Sequence, residues 1–254
     1  MDMSTDIAWE TWGRRDPYFG VITNPKFRMS GIDENIKREF FASGETDVQR
    51  VLTTIQKYID PGFAPRTVLD FGCGVGRVLV ALAKIADEVV GLDVSRSMLQ
   101  EAQRNCDERQ LRNVRLLESD DELTALMGAF DLIHSCIVFQ HIPVERGRVI
   151  FAKLLKHLRP GGVGAIQLTY AKTRFASTYG VTPPASLPDP SVLSAKASAP
   201  AAPIDADPEI QMNPYSLNEI LFLMQQHGIV RFQTEFTDHG GELGVFLFFQ
   251  MPLV

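Results

Sequence analysis

The sequence has few cysteines, no excess of positive charge and no long apolar run, and each shortage removes a class of protein. Its three cysteines, Cys73, Cys106 and Cys136, are an odd number without paired spacing, so neither a disulfide framework nor a thiolate zinc site is indicated. Cys73 reads as a small residue in a turn; with no base beside it in sequence, it is not expected to be a catalytic thiol. Lysine and arginine number 25 against 31 aspartates and glutamates, a net charge of -6. No basic stripe is visible, so unaided binding to a long polyanion, which rests on clustered cations neutralising phosphates, is not expected. No apolar run reaches the roughly 18 residues that span a bilayer, and Met1 to Glu10 lacks a charged-then-apolar secretion signal. These absences predict a cytoplasmic protein with neither a nucleic-acid nor a membrane partner.

What is present suits one sizeable core: 254 residues, 45% hydrophobic and 22% charged, in the ordinary range for a globular chain. From residue 67 onward, apolar strands alternate with amphipathic segments, the pattern of a doubly wound α/β sheet. Strands are predicted near 67–71, 88–93, 113–118, 130–136 and 162–169, with helices at 76–86, 95–109 and 146–158. A last helix runs from Ser216 to His227 and stops at Gly228. Val230 to Phe236 and Gly244 to Gln250 then read as a hairpin around Asp238-His239-Gly240-Gly241. Residues 1–60 form a predicted N-terminal helical and aromatic cap, with one helix from Asn35 and another from Glu45 to Ile59, and 61–254 form the core. Within the core, 171–214 is an insertion rich in Pro, Ala and Ser, read as a lid or a tether.

The most informative stretch is Val68-Leu69-Asp70-Phe71-Gly72-Cys73-Gly74-Val75-Gly76-Arg77-Val78, a buried strand running into a glycine turn and then a helix, followed by Asp93 at the end of the next strand. Open α/β sheets place ligands at such carboxyl ends. A dinucleotide fingerprint wants glycine at its first, third and sixth positions, but here the sixth is Arg77. Asp70 would repel a pyrophosphate, whereas it suits the ammonium of S-adenosylmethionine, whose sulfonium is also positive.

Here the chain resembles the class I S-adenosylmethionine-dependent methyltransferases, from about residue 66 to about residue 170. Leu69 to Arg77 is similar to that family's first motif, Val89-Val90-Gly91-Leu92-Asp93-Val94-Ser95 to its second, and Leu117-Glu118-Ser119-Asp120-Asp121 to its third. Phe130 to Ser135 resembles its fourth strand, and Leu158-Arg159-Pro160-Gly161-Gly162-Val163 the turn before its fifth. The resemblance implies a Rossmann-like, mostly parallel sheet closed by an antiparallel C-terminal strand. It also implies S-adenosylmethionine as cofactor and S-adenosylhomocysteine as product.

The cofactor residues expected on these grounds are Asp70, Gly72, Cys73, Gly74, Gly76, Arg77, Asp93, Val94, Met98, Ser119, Asp120, Asp121 and Ser135. Gly72, Gly74 and Gly76 admit the methionine portion and ribose where a Cβ would obstruct. Asp93 is expected to accept the ribose hydroxyls, Asp120 the adenine amino group, and Met98 to lie on the adenine face. Methyl transfer mainly requires alignment, but a hydroxyl or ammonium acceptor must also lose a proton. His141, just past the fourth strand, is the candidate base, with Tyr18, Gln140 and His141 expected at the acceptor, while His134 reads as a core or pocket-wall residue. No metal is expected. The leading reading is O-methylation of a small molecule such as a sugar or secondary metabolite; N-methylation and a non-catalytic partner subunit are the alternatives, and a homodimer is compatible with either.

Overall fold

In the computed structural model, residues 4–172, 207, 208 and 210–253 are described. Most of the predicted insertion, and with it the lid or tether reading, lies outside the described residues. Seven strands form one sheet in the order β3-β2-β1-β4-β5-β7-β6. They are β1 Thr67–Phe71, β2 Glu88–Asp93, β3 Val114–Glu118, β4 Phe130–Ser135, β5 Leu158–Lys172, β6 Phe232–His239 and β7 Glu242–Gln250. The first five are parallel, and β7 runs antiparallel to both β5 and β6. This is the expected Rossmann-like α/β architecture. The order reverses between β1 and β4, which opens a crevice at the carboxyl ends of these two strands.

Helices cover both faces, so the central strands are apolar on both sides. Along β1, Val68 faces one apolar core while Leu69 and Phe71 face the other, as the two-residue period of a strand dictates. Asp70, buried on the Val68 face, is the one charged side chain of this strand.

The N-terminal segment supplies α1 (Ser4–Arg15), the short α2 (Pro17–Val21) and the long α3 (Glu34–Tyr58). Two separate helices were expected where α3 runs unbroken. Asp33 caps it by accepting from the amides of Asn35 and Ile36 at 2.9 and 2.8 Å. Gly44 lies mid-helix because a Cβ there would stand 2.1 Å from the Arg77 carbonyl oxygen; glycine is what lets α3 sit on the turn after β1. The helix predicted at 76–86 is regular only over α4, Leu79–Leu82; beyond it the bonds of Lys84 and Ile85 tighten to the third residue back.

α5 (Arg96–Glu108), α6 (Val144–Lys156) and α7 (Leu217–Gln226) complete the layers. β5 is longer than predicted at both ends, because Leu158 already pairs with Phe130 of β4 and β7 continues pairing as far as Lys172 opposite Glu242. Among the described residues, no helix is long and apolar enough to cross a membrane.

Candidate active site

The turn after β1 is stitched to the end of β2. The amides of Gly72 and Cys73 both donate to the Leu92 carbonyl, at 2.8 and 2.9 Å. Gly72 and Gly74 have φ of +73° and +52°, and a Cβ on them would meet Val138 at 2.4 Å and Val21 at 2.7 Å. Both positions therefore require glycine for conformation and for space. Behind this turn lies a cleft of about 820 Å³ of empty space, the open solvent at its mouth included.

Of the residues predicted to hold a cofactor, Gly72, Gly74, Asp93, Val94, Met98, Ser119, Asp120 and Asp121 line this cleft. Asp93 sits at the end of β2, where its Oδ2 accepts from the Gly74 amide at 2.8 Å and its Oδ1 from the Ser95 amide at 2.9 Å. Each oxygen thus keeps one lone-pair position. Burial raises the Asp93 carboxyl from 3.8 to about 6; the two amide bonds oppose this, and the charges of Asp70 and Glu10 add to it. Met98 lines the cleft and is also packed into the core beside α2. The Asp120 carboxylate is engaged by the amide and hydroxyl of Thr124, which hold its pKa below the usual carboxylate value.

The other predicted cofactor residues face elsewhere. Cys73 is buried beneath the turn, where desolvation pushes its thiol well up. Gly76 caps that turn, donating to the Cys73 carbonyl at 2.9 Å. Arg77 reaches away toward α3, pairing with Asp47 at 2.7 Å and Ser43 at 3.2 Å. Ser135 donates to the Phe71 carbonyl at 3.0 Å and is fully buried. Asp70 is buried within the sheet, its Oδ1 2.8 Å from His134 Nδ1.

At the acceptor end, His141 lines the cleft at the end of a 3-10 turn, Phe139–His141. Its Nδ1 donates to the Gln211 carbonyl at 2.8 Å, which leaves Nε2 with the lone pair. Burial lowers its pKa to about 4, against the opposing bond to Gln211, so the imidazole is neutral at physiological pH. Gln140 does not line the cleft; its side-chain oxygen accepts from Thr169 at 2.9 Å. Tyr18 is fully buried, with its hydroxyl 2.8 Å from Glu101 and 3.0 Å from Asn105, so that polar group is already committed away from the cleft.

The cleft also recruits residues outside the predicted site set, Trp9 of the expected aromatic cap among them. Thr5, Asp6 and Trp9 of α1 form a roof, and Cys136, Ile137, Val138, Ile142, Arg146 and Ile150 complete the wall. Arg146 forks between Asp121, at 2.7 Å, and Asp6, at 3.0 Å. Bonds from both carboxylates outweigh burial and raise the guanidinium pKa, so its charge is permanent. Trp9 packs on His141 with ring centroids 4.9 Å apart. A signal for α1 was present in the i, i+4 and i+7 spacing of Thr5, Trp9 and Trp12. Nothing local ties Asp6 to Arg146, which is 140 residues away.

Residues 68–162, from β1 to the start of β5, match the methyltransferase domain family. Over these residues the chain is similar to the S-adenosylmethionine-dependent methyltransferases. Over 103 residues this chain is 40% identical to a trans-aconitate 2-methyltransferase of Deinococcus radiodurans, covering 40% of this chain and 37% of that protein. Over 160 residues it is 26% identical to a ubiquinone biosynthesis O-methyltransferase of Psychrobacter cryohalolentis, covering 62% of this chain and 58% of that one. The match therefore spans between about a third and three fifths of the length of these curated relatives. In fold, the chain is similar to magnesium protoporphyrin IX methyltransferase of Synechocystis, solved with bound S-adenosylhomocysteine (TM-score 0.64, 17% identity, 98% of this chain and 99% of that one). It is also similar to the N-methyltransferase NodS of Bradyrhizobium japonicum (TM-score 0.58, 14% identity, 98% and 99%).

Proposed function

We propose that this chain transfers a methyl group from S-adenosylmethionine to a small, uncharged acceptor, on oxygen. The observation that carries the reading is Asp93: one unused lone-pair position on each carboxylate oxygen, at the mouth of the glycine turn, matches the two hydroxyls of a ribose. Asp70 Oδ2 is buried with no partner among the described residues, and fits an ammonium nearby. The cofactor, when bound, supplies a methyl group on an already activated sulfonium. What remains for the protein is to align the acceptor and manage its proton. His141 Nε2 accepts a hydrogen bond from the acceptor hydroxyl and orients it; with its pKa near 4 it is a weak base, so positioning outweighs proton abstraction.

Charge supports an uncharged acceptor. Among the described residues lining the cleft are four carboxylates (Asp6, Asp93, Asp120 and Asp121) and one guanidinium, Arg146, already engaged by two of them. A polycarboxylate like the trans-aconitate in the relative's name would meet an acidic wall. The same acid excess favours, as a second reading, an amine acceptor and N-methylation. Calorimetry with S-adenosylmethionine, S-adenosylhomocysteine and NAD is the direct test. Binding of the first two alone is expected, and binding of NAD alone would refute the proposal.

A further inference from the structure

Asp70 and His134 face each other across the register of β1 and β4, at the point where the sheet order reverses. Both side chains are almost completely buried, and Nδ1 lies 2.8 Å from Oδ1. A carboxylate only accepts, so Nδ1 carries the proton of this bond. The ring of Phe246 lies 6.2 Å from the imidazole, with the Arg50 guanidinium on that same ring at 4.8 Å, so the imidazole is walled in. The second oxygen, Oδ2, has no partner among the described residues.

A pair that served stability alone would be expected to satisfy both oxygens, because a buried charged oxygen left unpaired is costly. Asp70 lies two residues before Gly72, and its charge is felt at Asp93 and at Cys136, both of which line the cleft. Asp70 does not line the cleft itself, but Phe71 and Gly72, the next two residues, do, so a buried unpaired oxygen under the cleft floor suits a cation that arrives with a ligand.

We infer that His134 is a positioning residue for the methyl donor: by holding Oδ1, it fixes the Asp70 carboxylate so that Oδ2 meets the ammonium of the donor's amino-acid portion. The inference rests on the methyl-donor reading above. His134 touches no reacting atom; it acts through Asp70.

The experiment compares two nucleosides by calorimetry on the full chain. S-adenosylhomocysteine carries the ammonium, whereas 5′-methylthioadenosine keeps the adenosine and the thioether but lacks it. His134→Leu is expected to weaken S-adenosylhomocysteine on the order of tenfold or more, the scale of a misaligned charge-assisted hydrogen bond, while 5′-methylthioadenosine holds within about twofold. His134→Asn, whose amide nitrogen can occupy the Nδ1 position, restores affinity to within about threefold of the unaltered chain. His134→Gln places its nitrogen nearer the Nε2 position and is expected to fail like leucine. It keeps the test alive if the leucine variant does not fold. Equal loss of both nucleosides, no loss of either, or an asparagine variant as poor as glutamine would overturn the role of His134. Failure of the unaltered chain to bind either nucleoside would overturn the methyl-donor reading, and this inference with it.

Discussion

Asp93→Asn separates ligand recognition from stability at one atom. In the native side chain each oxygen holds one backbone amide and has room for one ribose hydroxyl. Asparagine keeps one oxygen, so the second hydroxyl loses its acceptor and the first bonds a neutral group instead of a charged one. A hydrogen bond to a charged group contributes about 1.5–3 kcal/mol and a neutral one about 1, so the expected loss is about 3 kcal/mol, or about a hundredfold in Kd. Stability should move far less, because two effects oppose. The new amide leaves either the Gly74 or the Ser95 N–H facing a donor, a cost of about 1–3 kcal/mol. Against this, the ionised carboxylate is itself destabilised: its rise from 3.8 to about 6 corresponds to about 3 kcal/mol, which asparagine removes. The pH profile fixes the sign. Because the folded pKa is raised, the folded chain holds this proton more tightly than the unfolded one, so Asp93 lowers stability as pH rises from about 4 to 6. Ligand binding needs the ionised acceptor, so S-adenosylhomocysteine should weaken by up to about tenfold per pH unit below about 6, and Asp93→Asn should abolish that dependence. Titration calorimetry between pH 5 and 8 checks both statements. Undiminished affinity in the variant, or an unchanged inflection near pH 6, would refute the role given to Asp93.

Three other perturbations follow from the same geometry. His141→Ala should cut turnover by on the order of a hundredfold, with S-adenosylhomocysteine affinity unchanged; steady-state kinetics and calorimetry on one preparation read the split. Arg146→Met removes a buried cation from between Asp6 and Asp121 and leaves two acids facing each other, so Tm should fall by several degrees, with a loss of about 3 kcal/mol in chemical denaturation. Glu10 accepts from the Ser95 and Ser97 hydroxyls, both at 2.8 Å, and from the Ser97 amide at 3.1 Å; these bonds and Arg14 overcome its burial and lower its pKa to about 2. Its contribution is present above about pH 4.5 and lost as pH falls toward 2, so Glu10→Gln should flatten the acid limb of the stability curve in that window.

The sheet was legible because each central strand is a short apolar run with a turn signal after it, and the crossover rules leave few ways to assemble such units. Local chemistry also marked the cleft's floor: glycines that must take positive φ, and an acid at a strand end. The roof was not legible in the same way. Its contacts pair Asp6 with Arg146 and Trp9 with His141, and no spacing rule links partners more than a hundred residues apart. Arg77 and Tyr18 show the converse limit. Gly74 and Gly20, two or three residues away from them, line the cleft, but each side chain turns toward a partner on another helix, Asp47 or Glu101, which only the packing of α3 and α5 reveals.

The N-terminal helix ties these observations together. α1 is held at three places: by Glu10 at the start of α5, by Asp6 on Arg146 of α6, and by Trp9 against His141. The first contact lies two residues beyond Asp93, the second on the cleft wall, and the third at the acceptor end. A ligand filling the cleft therefore packs under Thr5, Asp6 and Trp9 of α1, so the ties on α1 are expected to set how fast a nucleoside leaves. Two of the three ties are ionic or charge-assisted and one is an aromatic contact; the Arg146–Asp6 pair is buried, so salt screens it little, and removing Asp6 rather than raising ionic strength should speed exchange. Stopped-flow dissociation of S-adenosylhomocysteine would measure it. A rate that changes little with salt in the unaltered chain, and is faster in Asp6→Asn, is what a roof tied by this ion pair requires. A rate unaffected by the substitution would place the exit elsewhere.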